Sequence, residues 1–407
     1  MEKKVLNKKV ELLAPAGDLA RLKTAVLYGA DAVYIGGEAY SLRSRAGNFT
    51  IPEIKEAVEF AKERGARVHV TVNAIHHDED LDGLKEYLIA LEECGVTAII
   101  VATLSVMKLA KEVAPKLEVH ASTQLSITNH ESALFLHENY GIDRAVLARE
   151  CTLDDVRSIT NLLPIETEAF IHGGMCVNYS GRCTLSNRMT NRDANRGGCA
   201  QSCRWQYKLF EEDKEISDGY DFTMGSKDLR ALRHIEELIH MGVSSFKIEG
   251  RMKTEYYIAS IVSAYRELID DILEKGHLSD NDLLRHQKNL SYAENREVWD
   301  GFYGNKDGYK SIIYHATSNA DVNHDFLAKV VEYDDWNRFA LIETRNKFNV
   351  GEEVEVLSPG EKSKSFVVEY ASHEQGGPIE VINQPMKKVI ISVPFSVKEG
   401  DILRRKR

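Results

Sequence analysis

Apolar residues along the first ~275 positions fall into short continuous runs, each followed by a stretch with helical spacing. Val10-Glu11-Leu12-Leu13-Ala14 is the first run, and Asp18 then opens a helical pattern that reaches Tyr28 and closes at Gly29. Ala32-Val33-Tyr34-Ile35-Gly36 is the second, and Pro52 sits in the first turn of a helix carrying Ile54, Ala57, Val58 and Ala61 before Gly65. Further strands are legible at Val68–Val72, Ala98–Val101, Val119–Thr123, Ala145–Leu147, Glu168–His172 and Phe246–Ile248. Runs buried on both faces belong to parallel sheets. Eight such units predict a closed α/β barrel of the (β/α)8, TIM-like kind over 1–277, with an open doubly wound sheet as the alternative. The barrel is preferred because polar residues gather at strand C-termini around the whole series, where a barrel makes one face.

Residues 278–322 are polar and irregular and read as a connecting segment. From 323 the pattern changes to short β-type runs, among them Val330–Tyr333, Phe339–Glu343, Val354–Leu357, Phe366–Val368 and Val389–Ile391, separated by Pro359-Gly360 and Gly376-Gly377. This predicts a small all-β C-terminal domain over 323–407, of barrel type.

Composition is that of a globular chain, with 43% hydrophobic and 28% charged residues. No apolar run reaches membrane-spanning length, and the charged start lacks a secretion signal, so a cytoplasmic location is expected. Net charge is −11, yet Arg182, Arg188, Arg192, Arg196 and Arg204 cluster with one acid, Asp193. An acidic body with one arginine-dense loop fits a focused anion or phosphate site.

That loop, an insertion at 173–205, also holds four of the six cysteines: Cys176, Cys183, Cys199 and Cys203. In a reducing compartment such a group binds metal more readily than it forms disulfides. The spacing C-x6-C-x15-C-x3-C lacks the two close pairs of a zinc ribbon and the run of a bacterial ferredoxin, so zinc and an iron–sulfur cluster both remain open on spacing alone. Glu168 and His172 are an even number apart on one strand, which places both on one side and makes them acid–base or substrate-binding candidates, or else a core pair. Lys247 and Glu249 join them as catalytic candidates. Arg43, Arg45, Asn73, His120, Gln124, Arg149 and Arg251, all at strand ends, together with Arg182 and Arg188, are the substrate-binding candidates, since several cations around a barrel mouth suit a carboxylate ligand. The alternative is a buried ion network that only closes the barrel. His76-His77-Asp78-Glu79-Asp80 reads as a solvated loop rather than a metal site. No H-E-x-x-H, G-x-S-x-G or P-loop motif is present.

The run Glu168-Ala169-Phe170-Ile171-His172-Gly173-Gly174-Met175-Cys176-Val177-Asn178-Tyr179-Ser180-Gly181-Arg182-Cys183 resembles the signature of the collagenase-like peptidase family U32. Phe246–Lys253, Leu13–Gly17 and Gly29–Gly37 resemble its other recurrent blocks. Within the family the resemblance is strongest to the tRNA-hydroxylating branch. It implies O2-independent hydroxylation of the wobble uridine to 5-hydroxyuridine. It also implies a [4Fe-4S] cluster on the four cysteines, prephenate as hydroxyl source, and the tRNA anticodon arm as partner. A paralogous family member is a further expected partner subunit. Sister branches act on a ribosomal RNA cytidine or in ubiquinone synthesis. Collagenase-like peptidase activity and a non-catalytic, zinc-containing RNA-binding role are the alternatives. On this reading the terminal β domain and the basic tail Arg404-Arg405-Lys406-Arg407 grip the anticodon arm. Asn178 and the segment Val298–Phe302 depart from the family's usual residues.

Overall fold

A computed structural model describes residues 10–42, 47–217, 221–294, 296–304, 308–313 and 324–407. Eight parallel strands close on themselves: β1 Glu11–Pro15, β2 Ala32–Gly36, β3 Arg67–Val72, β4 Ala98–Val101, β5 Glu118–Ala121, β6 Arg144–Val146, β7 Glu166–Gly173 and β8 Ser245–Ile248. Each strand pairs with its sequence neighbour, and β8 pairs with both β7 and β1. All eight correspond to apolar runs in the sequence. Leu12, Val33, Val70, Ile99, Val119, Ala145, Ile171 and Phe246 bury outward against the helices, while a smaller cluster of Leu13, Ala32, Tyr34 and Ile100 fills the interior.

The outer layer begins with α1 Leu19–Leu27, α2 Ile51–Glu63, α3 Leu84–Glu93, α4 Leu104–Val113, α5 His130–Tyr140 and α6 Leu153–Leu162. Their starts are written in the sequence. Asp18 accepts from the Arg21 amide, and Thr50 with Glu53 and Thr152 with Asp155 form reciprocal capping boxes. A helix in the insertion, α7 Leu185–Thr190, comes next, then α8 Ile235–Met241, the long α9 Glu255–Lys275 and α10 Asp280–Ser291. Between β7 and α8 the chain makes its largest excursion over the C-terminal end of the barrel. On its return, Asp228–Arg230 adds antiparallel to β7, a pairing that nothing in its three residues signals.

The C-terminal domain is a curled antiparallel sheet. Its strands are β9 Phe326–Asp334, β10 Phe339–Thr344, β11 Glu353–Leu357, β12 Lys364–Val367, β13 Ala371–His373, β14 Lys388–Ser392 and β15 Ile402–Arg405, in the order β12-β11-β15-β9-β10-β14-β13. Leu327, Val330, Phe348, Val354, Ile391 and Leu403 form its core. It sits against α1, α9 and α10: Phe326 stacks on Tyr256 with centroids 5.1 Å apart, Tyr28 donates to the Leu357 carbonyl, and Lys329 pairs with Glu255 at 2.6 Å. The basic tail is ion-paired within this domain. Arg404 pairs with Glu355, Arg405 with Glu352, Lys406 with Glu353 and Arg407 with Asp325. Each of the four thus has a carboxylate within its own domain: Glu355 and Glu353 stand on β11 beside β15, Glu352 just before β11, and Asp325 just before β9.

Candidate active site at the barrel mouth

The barrel interior is charged. Arg144 on β6 reaches across to Glu11 on β1 at 2.6 Å, to Glu168 on β7 at 3.1 Å and to Glu166 at 2.6 Å. Lys247 on β8 donates to Glu168 at 2.7 Å, and the Ser245 hydroxyl donates to both Glu11 and Glu168. Glu168 is 0% exposed. Burial alone raises a carboxyl, but Lys247 and then Arg144 outweigh it and hold Glu168 at about 2. Beside this network His69 and His120 meet edge to face, centroids 4.9 Å apart. Both are wholly buried, and desolvation pushes each down to about 3, so they are neutral. Two expectations are corrected here. Glu168 and His120 do not face the mouth; they are the middle of a buried network that spans strands distant in sequence.

His172 also lies elsewhere. Between β7 and β8 the register runs Ser245↔Glu168, Phe246↔Ala169, Lys247↔Phe170, then Ile248↔His172. One residue is skipped, so the alternation that put Glu168 and His172 on one side fails. His172 points into the helix layer, where Nδ1 lies 3.2 Å from the Tyr265 hydroxyl and the ring meets Tyr257. Burial there pushes it down to about 3.

Above the network lies a cavity of about 440 Å³ whose walls join the strand ends to the insertion. Its floor is Tyr34, Phe170 and Lys247, with the Lys247 ammonium 4.7 Å from the Tyr34 ring centroid. Around the wall stand Asn73, Ser122, Gln124, Arg149, Glu249, Arg251 and Lys253. The Arg149 guanidinium stacks 3.8 Å from the Phe170 centroid, and no carboxylate pairs with it among the described residues. Arg251 donates to the Ser41 and Thr71 hydroxyls and lies so close over Gly36 that a Cβ there would stand 1.9 Å from it. Asn73 donates to Gln124 Oε1 at 3.1 Å, while Gln124 Nε2 is buried with no partner. Glu249 accepts from the Gly174 amide. Gly173 adopts φ +105° with its Cα against the Glu249 backbone, a place for no side chain. Arg43 and Arg45 lie outside the described residues.

All four cysteines of the insertion line this cavity. Backbone clamps set them. Asn195 brackets Cys183, accepting from its amide and donating to its carbonyl, while Arg192 donates to the Cys199 carbonyl and the Met224 amide to that of Cys203. Burial pushes the Cys203 thiol up, and the other three sulfurs add to the shift. Cys176 is raised the same way, with Cys183 and Cys199 contributing, against the Asn178 amide and Arg149. The four sulfurs thus sit within electrostatic reach of one another. A tetrahedral zinc with bonds of about 2.3 Å needs sulfurs about 3.8 Å apart. Among the described residues the one trio of ligand atoms within 4.8 Å of each other is Glu267, Asp271 and His286. That trio is remote from the thiols and is already bridged by Arg285.

The insertion's arginines divide into two sets. Arg196 reaches down to Asp80, Glu79 and His77, so the histidine–acid run at 76–80 docks the insertion rather than binding metal. Arg192 holds a backbone carbonyl and Arg204 pairs with Asp228 at 3.8 Å. Arg182 and Arg188 are exposed and pair with no carboxylate among the described residues; Arg182 donates to the Gln124 carbonyl. The Ser180 amide and hydroxyl both bind Glu150, which fixes the first cysteine turn to the end of β6. Sequence reasoning missed Glu11, Arg144, Asn195 and Ser180. Arg144 sits at a strand start where solvent exposure is the default, Glu11 is paired only by residues far away in sequence, and Asn195 and Ser180 act through backbone contacts that carry no motif.

Residues 17–313 match the model of peptidase family U32, and residues 322–404 match that of the family's C-terminal domain. The chain belongs to peptidase family U32. Among U32 relatives it is 41% identical to "tRNA hydroxylation protein P1" of Bacillus subtilis, over 99% of this chain and 96% of that one. It is 41% identical to a 23S rRNA 5-hydroxycytidine synthase of Escherichia coli, over 67% of this chain and 41% of that one. It is 31% identical to "Collagenase" of Porphyromonas gingivalis, over 95% of both. Among the described residues no helix is long and apolar enough to cross a membrane.

Proposed function

We propose that this protein is an RNA-modifying enzyme that hydroxylates the wobble uridine of tRNA to 5-hydroxyuridine without O2, using prephenate as hydroxyl source and a [4Fe-4S] cluster. The observation that carries the reading is one cavity with two unlike walls, four cysteines from the insertion facing a cationic strand-end wall, in a chain so similar along its whole length to a tRNA hydroxylation protein. Cys176, Cys183, Cys199 and Cys203 would hold the cluster. No three of their sulfurs lie within 4.8 Å of one another, an arrangement suited to a cluster, which distributes its thiolates over separate irons. When bound, the cluster supplies redox or Lewis-acid chemistry at the cavity wall.

The remaining groups bind and orient. Arg149, held flat by Phe170 and lacking a carboxylate partner, is a ready ligand for a substrate carboxylate. Lys247, paired with Glu168, and Arg251, bonded to Ser41 and Thr71, stand at the floor and side, so Arg149 is the first cation a dicarboxylate such as prephenate would meet. Gln124 Nε2, buried and unpartnered, offers a donor to a carbonyl such as those on the uracil edge. Glu249, the acid that Gly174 orients toward the cavity, takes the acid–base role in place of His172 and Glu168. A peptidase reading has less behind it: among the described residues no histidine lines the cavity to activate a thiol or hydroxyl.

The test is nucleoside mass spectrometry of tRNA from a strain lacking the gene and any paralogue, complemented with wild type or Cys183→Ser. Hydroxyuridine restored by the wild type alone is the expected result. Undiminished hydroxyuridine in the deletion strain would overturn the proposal.

A further inference from the structure

The cavity rim carries large apolar side chains that solvent would ordinarily not face. Tyr179 is 55% exposed, Trp205 43% and Met252 63%. Each adjoins residues of the cavity wall: Tyr179 lies between Asn178 and Ser180, Trp205 follows Arg204, and Met252 lies between Arg251 and Lys253. None is on a loose strand of chain. Tyr179 is followed by Ser180, clamped by Glu150. The Trp205 amide closes a turn onto Ser202. Met252 sits in the turn where the Lys253 amide bonds the Gly250 carbonyl. Interleaved with them are Arg182 and Arg188, exposed and without carboxylate partners among the described residues. Two acids of these segments are engaged: Glu150 holds Ser180, and Asp193 accepts from the Asn195 amide.

We propose that this rim is a platform for single-stranded RNA, on which Tyr179, Trp205 and Met252 stack against the unpaired bases flanking the target nucleotide while Arg182 and Arg188 hold phosphates. The inference rests on the tRNA reading above and names its contact surface. Aromatic faces alternating with cations are how proteins hold splayed-out bases. A base whose ring is to be modified must leave its stack and enter a pocket, so its neighbours need substitute stacking partners at the pocket's edge. The chemistry favours RNA over a protein partner, because unpaired guanidiniums beside single aromatic faces match phosphate and base, not a contiguous apolar surface. The location follows also from what is spent elsewhere: in a chain of net charge −11, the basic tail is bound to carboxylates of its own domain.

The experiment is fluorescence anisotropy of an unmodified, labelled anticodon stem-loop with anaerobically purified full-length protein, iron content and melting being matched between variants. Tyr179→Ala and Trp205→Ala should each weaken binding about 5- to 150-fold, the range for loss of one stacked base. Tyr179→Phe should bind within about twofold of wild type. Arg188→Gln should reduce the slope of log K against log salt by about 0.7. In a Trp299→Phe/Trp336→Phe protein, which keeps the rim intact, the stem-loop should quench the fluorescence of Trp205. Unchanged binding in both alanine variants, or no quenching, overturns the platform. So does loss of a protein complex with stem-loop affinity intact, which would make the rim a protein interface. If rim-dependent binding is found but hydroxyuridine persists in the deletion strain, the platform stands and the hydroxylase reading falls.

Discussion

Glu168→Gln separates a structural from a catalytic role for the most buried acid among the described residues. The carboxylate accepts from Lys247 and Arg144 with no solvent contact. Arg144 keeps Glu11 and Glu166 when Glu168 is neutralised, but Lys247 is left in the barrel without its counter-ion. Removing one partner of such a pair costs about 3–5 kcal/mol, mostly as the penalty of the orphaned charge. At about 2–4 °C per kcal/mol for a domain of this size, the melting temperature falls by roughly 6–20 °C. Adding Lys247→Met removes the orphan and should recover at least about half of the loss, since an apolar replacement of a buried pair is close to neutral. The pH dependence has a definite sign. The folded carboxyl is held at about 2, below its ordinary 4.5. Its stabilisation is therefore complete above 4.5 and disappears as pH falls toward 2, so wild type and Glu168→Gln should converge in stability between about pH 4.5 and 2. Denaturant unfolding of wild type, single and double variants measures all of this. A Glu168→Gln protein as stable as wild type but inactive would refute the reasoning and return Glu168 to acid–base chemistry.

His69, His120 and His172 are all held neutral at about 3. The unfolded chain takes up these protons below about 6.5, so stability is full above that pH and falls beneath it, by up to about 4 kcal/mol per pH unit near pH 5. A flat profile of unfolding midpoints between pH 7 and 5 would contradict their burial. Arg149→Met should raise KM for a dicarboxylate co-substrate about 10- to 150-fold, the loss of one charge-assisted bond, and leave the melting temperature within about 2 °C of wild type; an unchanged KM removes Arg149 from the ligand set. Asp80→Asn weakens the half-exposed clasp on Arg196 and should alter global stability by under about 1 kcal/mol while speeding limited proteolysis of the 173–205 insertion; equal cleavage rates would show that the clasp does not hold it.

The barrel was legible because its signals are local. Each strand is an apolar run between turn residues, and helix starts at Asp18, Thr50 and Thr152 carry their own caps. The four cysteines and the arginine-dense loop also declared themselves by density, and the fold brings all four to one cavity with Arg149, Gln124, Lys247 and Glu249. What failed did so for non-local reasons. Strict alternation predicted a shared side for Glu168 and His172, and a single skipped residue opposite Ile248 turned His172 outward. Arg144 and Glu11 meet across 133 positions, a distance no motif spans. The carboxylate partners of the tail's four cations, Glu352, Glu353, Glu355 and Asp325, come from segments about 50 to 80 positions away, which no local pattern shows.

Iron and acid-labile sulfide in anaerobically purified protein measure the central claim most directly. The account predicts about four of each per chain, with absorbance near 400 nm, and loss of both in Cys176→Ser, Cys183→Ser, Cys199→Ser and Cys203→Ser alike. One zinc per chain without iron, or full iron retained after any two of these substitutions are combined, would contradict it.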